Sequence, residues 1–177
     1  MKQKLIEPRL TEYLHMKASR IKTPISGTFE LSPLCNMDFK MCYIKMSKEK
    51  QESIARLRTK EEWIELAQKA KEKGMLFLLL TGGEPFLVKD FKELYIELHK
   101  MGFCISINSN GTMIDEDVIE WLKHYPPMRI NMTLYGASNE TYGRLCNNPK
   151  GFMQVTKAIS SLKENNIQVK MNKGETK

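Results

Sequence analysis

Nothing in this 177-residue chain approaches the run of about 20 apolar residues that a membrane helix needs. The start, Met1-Lys2-Gln3-Lys4 followed by Leu5-Ile6-Glu7-Pro8, lacks the apolar stretch of a signal peptide. Both absences predict a cytoplasmic chain with no membrane partner. Cysteine is scarce, four residues in all, and in such a chain reads as free thiols or metal ligands rather than a disulfide framework. No G-x4-GK loop is present to cradle phosphates, and no pattern marks a nucleophilic triad. His15, His99 and His124 fall on expected helices at no useful ligand spacing. Zinc is disfavoured because no second cysteine pair stands at zinc-ribbon spacing.

The formal charge of +7 raises a nucleic-acid partner, since clustered Lys and Arg neutralise phosphates. The basic residues are interleaved with acids, as in Lys48-Glu49-Lys50-Gln51-Glu52 and Lys69-Ala70-Lys71-Glu72-Lys73. Solvated helix faces explain them, and no nucleic-acid partner is expected.

What is present is an alternation of short apolar runs with amphipathic stretches. A helical arm is expected over residues 9–20, with Leu10, Tyr13 or Leu14, and Lys17 or Ala18 at helical spacing before Pro24. Gly27 to Ser32 reads as a strand. Thr59 and Glu62 form a capping box ahead of Trp63, Ile64, Leu66, Ala67 and Ala70, and Gly74 ends that helix. Met75 to Leu80 is continuously apolar, as in a parallel strand buried on both faces. Asp90 with Glu93 opens the next helix and Phe103 to Asn108 forms the next strand. Asp115 caps a helix that Pro126-Pro127 stops. Arg129 to Tyr135 alternates Ile130, Met132 and Leu134 with Asn131, Thr133 and Tyr135. A last helix, about 151 to 165, leads to a fifth strand, Ile167 to Met171, and a polar tail.

Strands separated by helices of this length pair in parallel through crossovers. The expectation is an α/β fold, a partial (β/α) barrel with parallel strands. Its parts are an N-terminal helical arm over 1–25, a core over 26–171 and a tail over 172–177.

Three ordered motifs sit where such strands end. Cys35-Asn36-Met37-Asp38-Phe39-Lys40-Met41-Cys42-Tyr43 follows the first strand, Thr81-Gly82-Gly83-Glu84-Pro85 the second, and Asn108-Ser109-Asn110-Gly111 the third. The ends of parallel strands are where α/β folds gather their sites. A lone C-x6-C is a weak signal, and Gly-Gly or Asn-Gly turns explain the other two segments singly. Their order along one chain is the stronger signal.

Together these motifs resemble the radical S-adenosylmethionine (radical SAM) family, and the resemblance spans about residues 25 to 171. It implies a radical SAM-like partial TIM barrel, of which about five of six strand-helix units are legible, so that the chain reads either as a truncated relative or as one whose open edge another surface covers. The fifth strand is then an edge, exposing the apolar Ile167, Val169 and Met171. Gly27 to Ser32, the Cys42-Tyr43 pair and Thr133-Leu134-Tyr135-Gly136 look most like the maturases that modify peptides and proteins.

In that family a C-x3-C-x2-C loop holds three irons of a 4Fe-4S cluster, and SAM binds the fourth. Reduction breaks SAM into methionine and a 5′-deoxyadenosyl radical. Cys35 and Cys42 match the first and third ligands, and the second falls on Phe39, whose ring has no lone pair for iron. The resemblance also implies SAM contacts at Met41, Tyr43, Gly82, Gly83, Glu84, Pro85, Asn108, Asn110 and Thr133, with Glu84 suited by charge to an ammonium group. Cys104 and Cys146 read as buried apolar thiols. A peptide or protein substrate follows, with a reductant of flavodoxin or ferredoxin type for an active enzyme. The expectation is a radical SAM-type protein impaired in cluster assembly, and the alternative is a non-catalytic half-barrel module that binds SAM or a partner.

Overall fold

The computed structural model describes residues 7–39, 42, 44 and 46–173. The apolar runs become five parallel strands in one open sheet: β1 (Ser26–Glu30), β2 (Phe77–Thr81), β3 (Cys104–Ser109), β4 (Arg129–Leu134) and β5 (Val169–Lys173). Their order in space is their order in sequence. Each crossover is helical: α2 (Lys48–Ile54) and α3 (Lys60–Glu72), then α4 (Phe91–Lys100), then α5 (Glu116–His124), then α6 (Asn139–Cys146) and α7 (Gly151–Glu164). A further helix, α1 (Glu7–Arg20), precedes β1.

The two faces of the sheet differ in kind. Phe29, Leu78, Leu80, Ile105, Ile107, Ile130 and Met132 share the helix-covered face and are buried. With Ala67, Leu94, Leu98, Leu122, Val155 and Leu162 from the helices they form one core. Removing a side chain as enclosed as Leu80 costs about 2–5 kcal/mol. The other face is concave and largely polar. One row runs across all five strands as Glu30, Thr81, Asn108, Asn131 and Lys170. Within it Asn108 Nδ2 donates to Thr81 Oγ1 (3.4 Å) and Asn131 Nδ2 to Asn108 Oδ1 (2.8 Å).

Several expectations change in detail. The Thr59–Glu62 capping box forms as read, and Asp115 caps α5 through Val118 N (2.9 Å). Asp90 stands at the start of α4 but its backbone is left-handed (φ 61°), and its side chain makes no cap bond. Of the arm's expected apolar positions, Ala18 is buried, whereas Leu10 and Tyr13 face solvent. Helix α6 has no counterpart in the sequence reading; Ser138 caps it through Thr141 N (3.2 Å). β5 is an edge strand as expected and runs through Asn172 and Lys173, residues assigned above to the tail. Its apolar side chains are not exposed: Ile167 is buried, and Val169 and Met171 are half-buried against the core. Among the described residues no helix is long and apolar enough to cross a membrane.

Candidate functional site

All three motifs meet at the C-terminal edge of the sheet. The backbone past β1 and β2 stays paired: Leu31 N donates to Thr81 O (2.9 Å), Gly83 N to Ser32 O (2.7 Å) and Glu84 N to Leu34 O (2.9 Å). This pairing explains the two glycines. A Cβ on Gly82 would strike the carbonyl oxygen of Ser32, and one on Gly83 that of Leu34. Gly82 also holds a φ of 135°, a conformation open mainly to glycine. The close approach they permit is first to the cysteine loop itself.

Glu84 is buried, with 1% of its surface exposed, and turns away from the concave face. Its Oε1 accepts from Ser109 Oγ (2.9 Å) and Phe86 N (3.2 Å), and its Oε2 from Asn110 N (2.8 Å). Burial pushes the carboxyl up to about 7, against the pull of those donors. Pro85 is buried beside it and opens a short 3-10 turn.

Asn110 joins the loops after β1 and β3. Its Nδ2 donates to Asn36 Oδ1 (2.9 Å) and contacts Cys35 Sγ (3.6 Å), and its Oδ1 accepts from Thr112 N (2.9 Å) and Oγ1 (2.7 Å). Glu84 and Asn110 therefore spend their polar groups inside the protein, binding three loops into one block.

A polar cavity of about 140 Å³ opens beside that block, lined by Thr81, Gly82, Gly83, Asn108, Ser109, Asn131, Thr133 and Asn172. Of the expected SAM-contact residues, Gly82, Gly83, Asn108 and Thr133 line it, and Glu84, Pro85 and Asn110 do not. Met41 and Tyr43 lie outside the described residues. Thr81, Ser109, Asn131 and Asn172 join the lining without having been singled out for the site. For Asn131 the signal was available, because it alternates with Ile130 and Met132 on the face that carries Thr133.

Cys35 and Cys42 are half-buried. Burial raises the Cys35 thiol above its ordinary value, opposed by the Met37 N–H, which donates to Sγ (3.4 Å). Phe39 packs against the core and meets the Tyr135 ring at a centroid distance of 3.8 Å. The neighbouring Asp38 N donates to Cys146 O (2.9 Å). Cys146 is buried as expected, with its thiol pushed up to about 11 by burial, whereas Cys104 is half-buried on the concave face. Among the described residues no group of three or more His, Cys, Asp or Glu side chains is placed to hold a metal ion.

An open parallel sheet with a cysteine loop, a Gly-Gly-Glu strap and a polar pocket at one edge defines a class. The chain belongs to the radical SAM superfamily, whose family model matches residues 29–173. It is 31% identical over 164 residues to the sporulation killing factor maturation protein SkfB of Bacillus subtilis, covering 92% of this chain and 39% of that protein. It is 26% identical over 149 residues to the antilisterial bacteriocin subtilosin biosynthesis protein AlbA of the same organism, covering 84% of this chain and 32% of that one. Streptococcus suis SuiB bound to the precursor peptide SuiA has a similar fold, with a TM-score of 0.74, 17% identity, and coverage of 96% of this chain and 38% of that chain. The chain thus spans between about a third and two-fifths of the length of these curated relatives.

Proposed function

We propose that this chain is a radical SAM core that keeps the pocket for the amino-acid end of SAM while its cluster site is short of one ligand. The observation that carries this is Phe39. Phe39 stands between Cys35 and Cys42 in sequence, and its ring is packed on Tyr135 and the core. Two thiolates and a phenyl ring do not make the three-sulfur donor set that a cubane with one open iron needs. The cluster does not fit the residues present, and no reaction step is assigned to it.

The SAM side is different. The small cavity offers backbone groups of Gly82 and Gly83, the Asn108 amide and the Thr133 hydroxyl, which suit the ammonium and carboxylate of an amino acid. Glu84 serves as a brace for that pocket rather than as its lining. The maturation role in the name of SkfB and the precursor peptide bound by SuiB support a peptide or protein substrate for the complete protein. A reductant of flavodoxin or ferredoxin type belongs to an active form. The second reading, a non-catalytic SAM- or partner-binding module, is favoured by the close packing of Phe39, which stabilises the loop without iron.

The test is anaerobic reconstitution with iron and sulfide, then reductant and SAM, with 5′-deoxyadenosine measured by mass spectrometry. The expected result is no product from the natural chain and recovery in Phe39→Cys. Product from the natural chain at the level of Phe39→Cys would overturn the proposal.

A further inference from the structure

Below the Thr81–Asn108–Asn131 row the concave face opens into a second, larger cavity of about 1260 Å³, reaching from the sheet to α1. Asn131 lines both cavities, so the row separates them. The larger one has an apolar side formed by Phe77, Leu79 and Met128, and a charged side formed by Arg129 and Lys170.

These two cations are neighbours by register. Arg129 and Asn131 are two apart on β4, Asn131 pairs with Lys170 on β5, and all three share the concave face. Diagonal neighbours in a sheet lie about 7–8 Å apart at Cα, within reach of long side chains for a shared ligand. Neither the Arg129 nor the Lys170 side chain has a hydrogen-bond or ion-pair partner among the described residues. Elsewhere Lys69, Lys100 and Lys123 pair with acids one turn away on their helices. The acidic side chain on the lining is Glu12 of α1, and it makes no ion pair with either cation.

We propose that this cavity binds a carboxylate-bearing peptide side chain, held between Arg129 and Lys170 with its aliphatic stem against Met128 and Leu79. This rests on the reading of the chain as a radical SAM core with a peptide substrate, and names the substrate's recognised group. A guanidinium beside an ammonium selects an oxyanion, and Arg adds the planar two-point geometry a carboxylate matches. Two features favour a carboxylate over a polyphosphate: the adjoining apolar side suits methylenes, and Glu12 repels a multiply charged ligand. An anion held there lies directly under Asn131, next to the pocket assigned to SAM, so the bound peptide is placed at the reaction centre.

The methionines supply the readout. Met16 and Met128 line this cavity, so protein labelled with 13C at the methionine methyls can be titrated with N-acetyl-Leu-Glu-Leu-amide and with its Gln counterpart. The Glu peptide is expected to shift both methyl resonances saturably, and the Gln peptide to bind at least about tenfold more weakly. The double variant Arg129→Gln, Lys170→Gln should weaken the Glu peptide by at least about tenfold while the remaining methyl spectrum shows the fold unchanged. Equal binding of the two peptides, an unaffected double variant, stronger binding of GTP, or the same shifts from sodium acetate alone would each overturn the inference. The deoxyadenosine assay on Phe39→Cys needs no peptide, so a failure here is distinguishable from a failure of the functional reading.

Discussion

The loops after β1 and β2 lie side by side, yet they are held by different means. The Gly82–Pro85 strap is pinned by backbone pairing to Ser32 and Leu34 and by three hydrogen bonds to a carboxylate that is 1% exposed. The cysteine loop beyond Leu34 has half-buried thiols and an aromatic contact at Phe39, and its described residues add backbone bonds from Asp38 to Cys146 and from Cys42 to Phe39. The strap holds its shape from within the protein, whereas a loop of this kind takes much of its order from a metal group. That contrast explains how the small polar cavity is built independently of Phe39: it is braced by Glu84 and Asn110, whose hydrogen bonds run to Phe86, Ser109, Asn36 and Thr112.

Mutations should separate the two loops. The largest effect is expected at Gly83→Ala, where the new Cβ meets the Pro33 and Leu34 carbonyl oxygens, which are backbone and cannot swing aside. A loss of about 3 kcal/mol in urea unfolding is expected; a loss below about 1 kcal/mol would mean the two loops are not pressed together as described.

Glu84 gives the next effect, and it depends on pH. Its folded pKa of about 7 lies above the ordinary 4.5, so the folded state holds the proton more tightly than the unfolded one. The associated stability is fully present below about pH 4.5 and is lost as pH rises to about 7, a change on the order of 3 kcal/mol. Glu84→Gln should flatten that slope in unfolding midpoints measured from pH 5 to 8. An unchanged slope would place the titrating group elsewhere. Phe39→Ala should cost less, about 1–2 kcal/mol, because the ring is only half-buried. A cost equal to that of Gly83→Ala would erase the contrast between the loops.

Much of this architecture is legible in the sequence, for physical reasons. Met75 to Leu80 announces a strand by its continuous apolar run and Phe103 to Asn108 by its alternation, but only one face is fully buried: Leu78, Leu80, Ile105 and Ile107 are enclosed, whereas Phe77 and Leu79 are half-buried on the other face. The motifs fall at strand ends, so their convergence follows from the topology. The direction of Glu84 does not follow. A carboxylate after Gly-Gly reads as a ligand for an ammonium group, but Ser109 and Asn110, more than twenty residues away, supply the donors that turn it inward. Helix α6 was hidden because its stretch is only 8 residues long and holds Gly143. Asn172 was read as tail because polar residues on a concave sheet face look like solvent-exposed chain, yet it lines the small cavity.

Whether the loop can hold a cluster with Phe39 in place decides between an active and a silent core. Mössbauer spectroscopy of 57Fe after anaerobic reconstitution, run in parallel on the natural chain and on Phe39→Cys, reads the cluster type and its amount directly. A 4Fe-4S signal confined to Phe39→Cys is the result predicted here; a stoichiometric 4Fe-4S cluster in the natural chain would contradict it and require a third ligand from outside the loop.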